Sequence, residues 1–181
     1  MLCNESNRTR SGLENSSLNI PLSCALLFWS DFMKIEYMKL AFNEALAAYN
    51  EDEIPVGALI VKDDKILAIS HNLKEKTSCS VFHAEILAII SASKTLNNWR
   101  LDDCDMYVTL EPCPMCASAI KQARIKNVYC GLSNSDENNG VLIRKIFETD
   151  KINPSVNFYN DLYSEKVREL MQKFFDDKRK K

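Results

Sequence analysis

Two short motifs in this chain combine residue types that bind transition metals. The first is His83-Ala84-Glu85, and the second is Glu111-Pro-Cys113-Pro-Met-Cys116. One histidine and two cysteines give three protein ligands, which is the number in a catalytic zinc site that keeps its fourth position for water. The chain contains only two histidines, His71 and His83, so any site that needs three is excluded.

Two prolines indicate that the second motif opens a helix. Pro112 disfavours helical backbone at Glu111 and so ends the preceding strand, whereas Pro114 suits the first position of a helix. Cys113 is therefore expected at the helix entrance, with Cys116 one turn further on the same face. The positive end of the helix dipole favours the thiolate form of both cysteines, and the thiolate is the form that binds metal.

Glu85 makes this group a candidate enzyme site. It lies in the same first turn as His83, so its carboxylate can face a zinc-bound water without binding the metal. A carboxylate in that position can take a proton from the water and deliver it elsewhere. The combination of His-x-Glu with Pro-Cys-x-x-Cys is typical of zinc-dependent nucleobase deaminases.

Other interpretations account for part of this pattern. A lone Cys-x-x-Cys can be a redox motif or half of a structural zinc knuckle, and Cys79 or Cys104 could close a structural Cys3His site. A closed site would leave Glu85 without a role, so we favour catalysis. We interpret His71 as a loop or strand-end residue. The remaining cysteines are interpreted as small hydrophobic residues or unpaired thiols: Cys3, Cys24 and Cys130.

The composition is typical of one ordinary α/β or α+β domain. Of the 181 residues, 46% are hydrophobic and 27% are charged, and the net charge is −2. That net charge argues against extensive sequence-independent binding of nucleic acid, although a local patch of basic residues suffices for one stem-loop. Seven cysteines without a regular framework favour a reducing compartment, and we expect a cytoplasmic protein. The apolar run 20–29 is too short to span a bilayer, so no membrane partner is expected.

Hydrophobic periodicity predicts helices alternating with strands, which implies a sheet with helices packed on its faces. The loops are expected at Lys74–Ser80 and Asn134–Gly140. The expected elements are a helix from Met33 to near Asn50, a hairpin over Val56–Ser70, helices over His83–Leu96 and Cys113–Arg124, strands over Met106–Leu110 and Asn127–Gly131, an edge strand within Ser155–Asn160, and a final helix that contains Val167, Leu170, Met171, Phe174 and Phe175.

From Met33 to about Lys178 the chain resembles the bacterial tRNA-specific adenosine deaminases of the cytidine deaminase-like superfamily. The zinc motifs are common to the superfamily. The Thr-Leu-Glu-Pro-Cys sequence, the position of Asn72 and the Phe174-Phe175 helix with its basic tail point to the tRNA branch. The resemblance rests on Glu53-Ile-Pro-Val-Gly-Ala58, Asn72, His83-Ala-Glu85, Asn98-Trp-Arg-Leu101 and Tyr107-Val-Thr-Leu-Glu-Pro-Cys-Pro-Met-Cys-Ala117. On this basis we treat residues 1–32 as an N-terminal extension outside the functional fold and 33–181 as a zinc-dependent deaminase domain.

The resemblance implies a three-layer α/β/α sandwich around a five-stranded mixed sheet. It also implies a homodimer that converts adenosine to inosine at wobble position 34, in the anticodon stem-loop of a tRNA. One Zn²⁺ per subunit would be bound by His83, Cys113 and Cys116. In the family's mechanism, zinc-bound hydroxide attacks C6 of a flipped-out adenine while Glu85 moves a proton to N1 and then to the departing ammonia.

The family's pattern also assigns contacts to the substrate. Asn72 and the backbone at Ala84 would hold the base or ribose, and Val56 would pack near it. Asn134 stands where an Asp that faces the RNA backbone is common, and we hypothesise that its neutral amide relaxes discrimination against DNA. Ser80-Val81-Phe82 stands where the family has a Pro and a small residue, so the pocket rim is expected to differ.

Two rival functions use the same zinc residues. The first is a small-molecule deaminase acting on guanine or cytosine. Thr109-Leu110 and the basic C-terminal end argue against guanine as its substrate. The second is a non-catalytic zinc module, for which Glu85 would have no use. Phe174 and Phe175 are expected to pack in the core rather than stack on bases.

Overall fold

The computed structural model describes residues 22–133, 137–148, 150 and 152–180, without the side chains of 22–31 and 137–139. The helices in this part are α1 Leu22–Asn50, α2 Lys74–Thr77, α3 Ala84–Leu96, α4 Pro114–Gln122, α5 Glu137–Phe147 and α6 Ser164–Arg179. The strands are β1 Gly57–Lys62, β2 Lys65–His71, β3 Asp105–Leu110, β4 Asn127–Leu132 and β5 Asn157–Tyr159.

The strands form one five-stranded sheet in the order β2-β1-β3-β4-β5. Strand β1 pairs antiparallel with β2 and β3, whereas β3, β4 and β5 run parallel, so the sheet is mixed. Helices α1 and α6 cover one face, and α3, α4 and α5 form the layer on the other. The expected three-layer α/β/α sandwich around a five-stranded mixed sheet is confirmed.

Successive side chains along each strand point to opposite faces of the sheet, so the hydrophobic core has two parts, one on each face. Ile60 and Val108 pack on the side of α3 to α5, while Leu59 and Tyr107 pack beneath α1. All five residues from Gly57 to Val61 are buried, because helices cover both faces of this central strand.

Gly57 marks the closest approach of α1 to the sheet. A methyl group at Gly57 would overlap the carbonyl oxygen of Ala41 and the backbone nitrogen of Ala45. The Gly57 N–H donates to the Thr109 side-chain oxygen at 3.1 Å, in a buried position. This bond joins the start of β1 to the strand that leads into the cysteine motif.

Three sequence-based expectations are wrong. Helix α1 begins at Leu22 rather than at Met33, since no glycine or proline interrupts the chain from there to Asn50. A short helix, α2, occupies part of the loop expected over Lys74–Ser80. Helix α5 begins at Glu137, within the loop expected over Asn134–Gly140. Its first turn reads as a loop because it consists of polar residues and a glycine.

The remaining elements agree with the sequence to within a few residues, including the edge strand β5. Ile143 and Phe147 of α5 are buried four positions apart, so this helix does contribute a side to the core. In the part of the chain that the structure describes, no helix combines the length and the apolar character needed to cross a bilayer.

Candidate zinc and catalytic site

The two metal-binding motifs meet where helices α3 and α4 begin. His83 is the residue before α3 and Cys113 the residue before α4, and both have extended backbone, with φ of −76° and −71°. Pro114 is the first residue of α4, as predicted. The first turns of both helices therefore point their free N–H groups toward the same space, at the carboxyl end of β3.

The three ligand candidates are close enough to share one ion. His83 Nδ1 lies 3.5 Å from Cys116 Sγ and 3.7 Å from Cys113 Sγ. Tetrahedral zinc with Zn–S bonds of about 2.3 Å and Zn–N bonds of about 2.0 Å sets sulfur and nitrogen roughly 3.5 Å apart. The donor atoms therefore fit a zinc ion with three protein ligands.

Within the described residues, the only group of three or more His, Cys, Asp or Glu side chains spaced for a metal is His83, Cys113 and Cys116. Cys79 and Cys104 do not join it, so this part of the chain offers no fourth ligand to close a structural site. His71 ends β2 and pairs with Glu44, its Nδ1 2.7 Å from Oε2, in agreement with its expected strand-end role.

The two cysteines differ in their affinity for a proton. Cys116 donates a hydrogen bond to Cys113 and so lowers the pKa of the Cys113 thiol to about 5, with further help from backbone N–H groups of α4. The same bond, together with burial, raises the pKa of Cys116. The pair therefore shares one proton, which a metal ion bound to both sulfurs would displace.

Glu85 is a buried carboxyl group with an altered proton affinity. Its side chain is 4% exposed, and burial raises its pKa to about 7, with a smaller contribution from Cys113. A group with that pKa can both accept and release a proton near neutral pH. This matches the requirements of a proton shuttle.

A cavity of about 230 Å³ opens beside these groups. The sequence-predicted residues Val56, Asn72, Ala84 and Glu85 all line it, together with the ligands His83 and Cys113. Asn134 lies outside the described residues.

The loop before His83 is attached to the strand end that carries Asn72. The carbonyl oxygen of Phe82 accepts the backbone N–H of Leu73 at 3.0 Å. Val81 is 45% exposed and Phe82 is half-buried. The segment Ser80–Phe82 therefore leads into the pocket residue His83, although none of its three residues lines the cavity.

Sequence reasoning missed several residues at this site. Ile54, Lys74, Leu110 and Glu111 also line the cavity, and three of them belong to stretches already singled out by their likeness to the deaminases. Glu53 was missed as well, although a charged residue just before a buried strand was a signal. It is completely buried behind Asn72.

Comparison with known proteins gives a consistent result. Residues 33–132 match the model of the cytidine and deoxycytidylate deaminase zinc-binding region. A curated relative, the tRNA-specific adenosine deaminase of Bacillus subtilis, is 36% identical over 145 residues, which cover 80% of this chain and 90% of the relative.

Two solved structures extend the comparison. One comes from a study of A-to-I editing by tRNA:A34 deaminases at the wobble position of transfer RNA. It is 36% identical, with a TM-score of 0.68, and covers 75% of this chain and 98% of its own. The other, guanine deaminase from Bacillus subtilis, is 30% identical, with a TM-score of 0.55, and covers 81% and 93%.

Proposed function

The chain belongs to the cytidine and deoxycytidylate deaminase zinc-binding family, and from this we propose that it hydrolyses adenosine to inosine at the wobble position of a tRNA. The relative and the first solved structure, each 36% identical, are named for this reaction and support the choice of substrate. The observation that carries the chemistry is the meeting of three metal ligands and a buried carboxyl group in one cavity.

In the proposed mechanism, His83, Cys113 and Cys116 hold one zinc ion. When bound there, zinc would polarise a water molecule and lower its pKa. Glu85 takes a proton from the attacking water and delivers it to N1 of the adenine as the new C–O bond forms at C6. It then takes the remaining hydroxyl proton and passes it to the exocyclic nitrogen, which leaves as ammonia when the C6–N bond breaks. Its raised pKa supports both roles at neutral pH.

The size of the cavity supports a single base as substrate. At about 230 Å³ it is smaller than the roughly 300–1,000 Å³ typical of sites for drug-sized ligands. A nucleotide within a stem-loop must leave its stack to enter such a pocket. We propose that Asn72, Val56 and the Ala84 backbone hold the flipped base or its ribose.

An adjacent groove supports contact with the rest of the anticodon loop. It has a volume of about 680 Å³ and meets the base pocket at Leu110. Arg168 and Phe175 line it, and Phe175 is 46% exposed, whereas Phe174 is buried. The expectation of core packing therefore holds only for Phe174, and Phe175 offers a ring on which an unpaired base can stack.

We also propose that the enzyme is a homodimer. Helices α3, α4 and α5 form one layer and carry exposed apolar side chains, which is the kind of surface that a second subunit covers. These side chains are Ile90, Met115, Val141 and Leu142. Light scattering of the purified protein should give twice the chain mass, and a monomer at micromolar concentration would contradict the assignment.

The proposal is tested by offering three substrates to the purified zinc-loaded protein. These are a tRNA with adenosine at position 34, free guanine and free cytosine. We expect inosine from the tRNA and neither xanthine nor uracil. Xanthine alone would instead favour a guanine deaminase, the activity of the second solved structure.

A further inference from the structure

Glu53 is a buried carboxylate beside the base pocket that the mechanism above does not use. It is 0% exposed, and each of its oxygens accepts one hydrogen bond. Oε1 accepts the backbone N–H of Lys76 at 2.7 Å, and Oε2 accepts Nδ2 of Asn72 at 3.0 Å. No lysine or arginine of the described residues pairs with Glu53, so these two donors are the partners of a polar group that is costly to bury unsatisfied.

The bond to Glu53 dictates how the Asn72 amide is turned. A carboxylate accepts hydrogen bonds and cannot donate them, so only the nitrogen end of the amide can face it. Within the described part of the chain, this is the one hydrogen bond that the Asn72 side chain makes. The carbonyl oxygen of Asn72 is therefore the end of the amide that lies away from Glu53. Since Asn72 lines the cavity, this oxygen is left for a substrate.

The second bond of Glu53 holds the carboxylate itself in place. Leu73, the residue before α2, provides no side-chain cap for that helix. Glu53 supplies the missing acceptor to the first-turn N–H of Lys76. With one oxygen committed to α2, the other is fixed toward Asn72.

We propose that Glu53 is a positioning residue that sets the orientation of the Asn72 amide and thereby makes this wall of the base pocket a hydrogen-bond acceptor. The Asn72 carbonyl oxygen would then accept a hydrogen bond from an N–H or O–H group of the bound nucleoside. The inference rests on the proposed function, which assigns Asn72 to the substrate. It adds the reason why Asn72 presents oxygen rather than nitrogen.

The variant Glu53→Gln separates orientation from packing, because it keeps the size of the side chain. A glutamine has one carbonyl oxygen and cannot accept from both Lys76 and Asn72. If that oxygen stays with Lys76, the new NH2 group faces Asn72, whose amide must then turn over. The pocket would present a donor in place of an acceptor, and we expect kcat/KM for the tRNA to fall about 10- to 100-fold.

Exchanging the two groups should restore the acceptor. Asn72→Asp alone sets two carboxylates about 3 Å apart, and we expect it to be at least as damaging as Glu53→Gln. In the double variant Glu53→Gln with Asn72→Asp, the glutamine NH2 donates to one aspartate oxygen and the other oxygen faces the pocket. We expect kcat/KM within about fivefold of the wild type.

Glu51→Gln is the matched control. It makes the same chemical change two positions away, on an exposed side chain that pairs with Lys76 Nζ. We expect its kcat/KM to stay within about twofold of the wild type. Zinc content and melting temperature, recorded for all variants, identify any loss that comes from unfolding.

Nuclear magnetic resonance of the full-length wild-type protein tests the orientation without any assay. The Asn72 side-chain amide is identified by its absence in Asn72→Asp, and one of its protons should exchange slowly. Two rapidly exchanging protons would overturn the inference, as would Glu53→Gln with wild-type kcat/KM or a double variant no faster than the slower single one. A wild type that makes no inosine would instead count against the proposed function.

Discussion

Both ends of the sheet carry a cavity, yet only one of the two cavities is built for chemistry. At the catalytic end, His83 and Cys113 stand at helix starts beside a cavity of about 230 Å³. At the opposite end, here called the tyrosine end, a larger cavity of about 430 Å³ has a lining rich in aspartate and tyrosine. Its lining includes Asp63, Asp64, Asp103, Asp105, Tyr37, Tyr107 and Tyr129.

The difference between the ends follows from the direction of the helices. Helices α3 and α4 begin at the catalytic end, where their free N–H groups favour thiolates and a buried carboxylate. Helix α4 ends at the tyrosine end. Ala123, the residue after it, accepts the backbone N–H of Leu101 with its carbonyl oxygen. The end of a helix favours positive charge rather than the thiolates and carboxylate found where α3 and α4 begin. Cavity volume is therefore a poor guide to function in this fold.

The tyrosine end is instead built for stability. Tyr107 stacks on Tyr129 with ring centroids 4.7 Å apart, and Tyr129 stacks on Tyr159 at 4.8 Å. The three rings occupy matching positions on β3, β4 and β5. Such a cross-strand ladder joins the parallel strands under α1.

The largest expected effect separates the two ends by activity. Glu85→Ala removes the proton shuttle, and we expect kcat/KM for deamination to fall about 10³-fold or more while zinc stays bound. The control at the tyrosine end is Asp105→Asn, for which we expect kcat/KM within about twofold of the wild type. Comparable losses in both variants would contradict the division between the ends.

Metal content separates the ends in a second way. Cys113→Ser removes a thiolate ligand, and we expect elemental analysis to find zinc reduced about tenfold or more from one ion per chain. Cys104→Ser changes a buried thiol at the start of β3 and should leave zinc content unaltered. Zinc retained in the Cys113 variant would show that other residues hold the metal.

Substitutions in the tyrosine ladder should lower the stability of the protein. Tyr107 is 2% exposed, and we expect Tyr107→Ala to lower the free energy of unfolding by about 3 kcal/mol, as measured by urea denaturation. Tyr159 is 47% exposed on the edge strand, so Tyr159→Ala should cost about half as much or less. Equal losses would mean that the ladder, rather than burial of Tyr107, dominates.

The smallest expected effect concerns charge at the tyrosine end. Burial raises the pKa of Asp105, and its hydrogen bond from Asn127 offsets this only in part. A raised carboxyl pKa means that ionisation costs stability as the pH rises through that pKa. Asp105→Asn should therefore raise the melting temperature at pH 7, by roughly 2 °C, and the gain should vanish below about pH 3.5. A melting temperature that falls at pH 7 would contradict this sign.

Local sequence signals were sufficient to predict where the metal ligands lie. Pro112 and Pro114 restrict the backbone on either side of Cys113, so the helix start and the spacing of Cys116 follow from the chain itself. His83 and Glu85 are only two residues apart, so a helix that begins here sets both in its first turn. These positions could be predicted before any tertiary contact was known.

Contacts between distant segments were beyond such reasoning. The bond from Asn72 to Glu53 joins residues 19 positions apart that no local periodicity relates. It depends on the pairing of β1 with β2, which sets Asn72 beside Val56. The tyrosine ladder depends on the register of three strands. Helix α5 was missed because its first turn is polar, and only the burial of Ile143 and Phe147 explains why it forms.

The central claim is that three ligands at two helix starts hold the zinc on which deamination depends. Its most direct test is to strip the metal from the wild-type protein, return zinc stepwise, and measure inosine formation from a tRNA with adenosine at position 34. We predict no activity without zinc and a linear rise that stops at one zinc ion per chain. Activity in the metal-free protein, or a rise that continues beyond one ion per chain, would contradict the account.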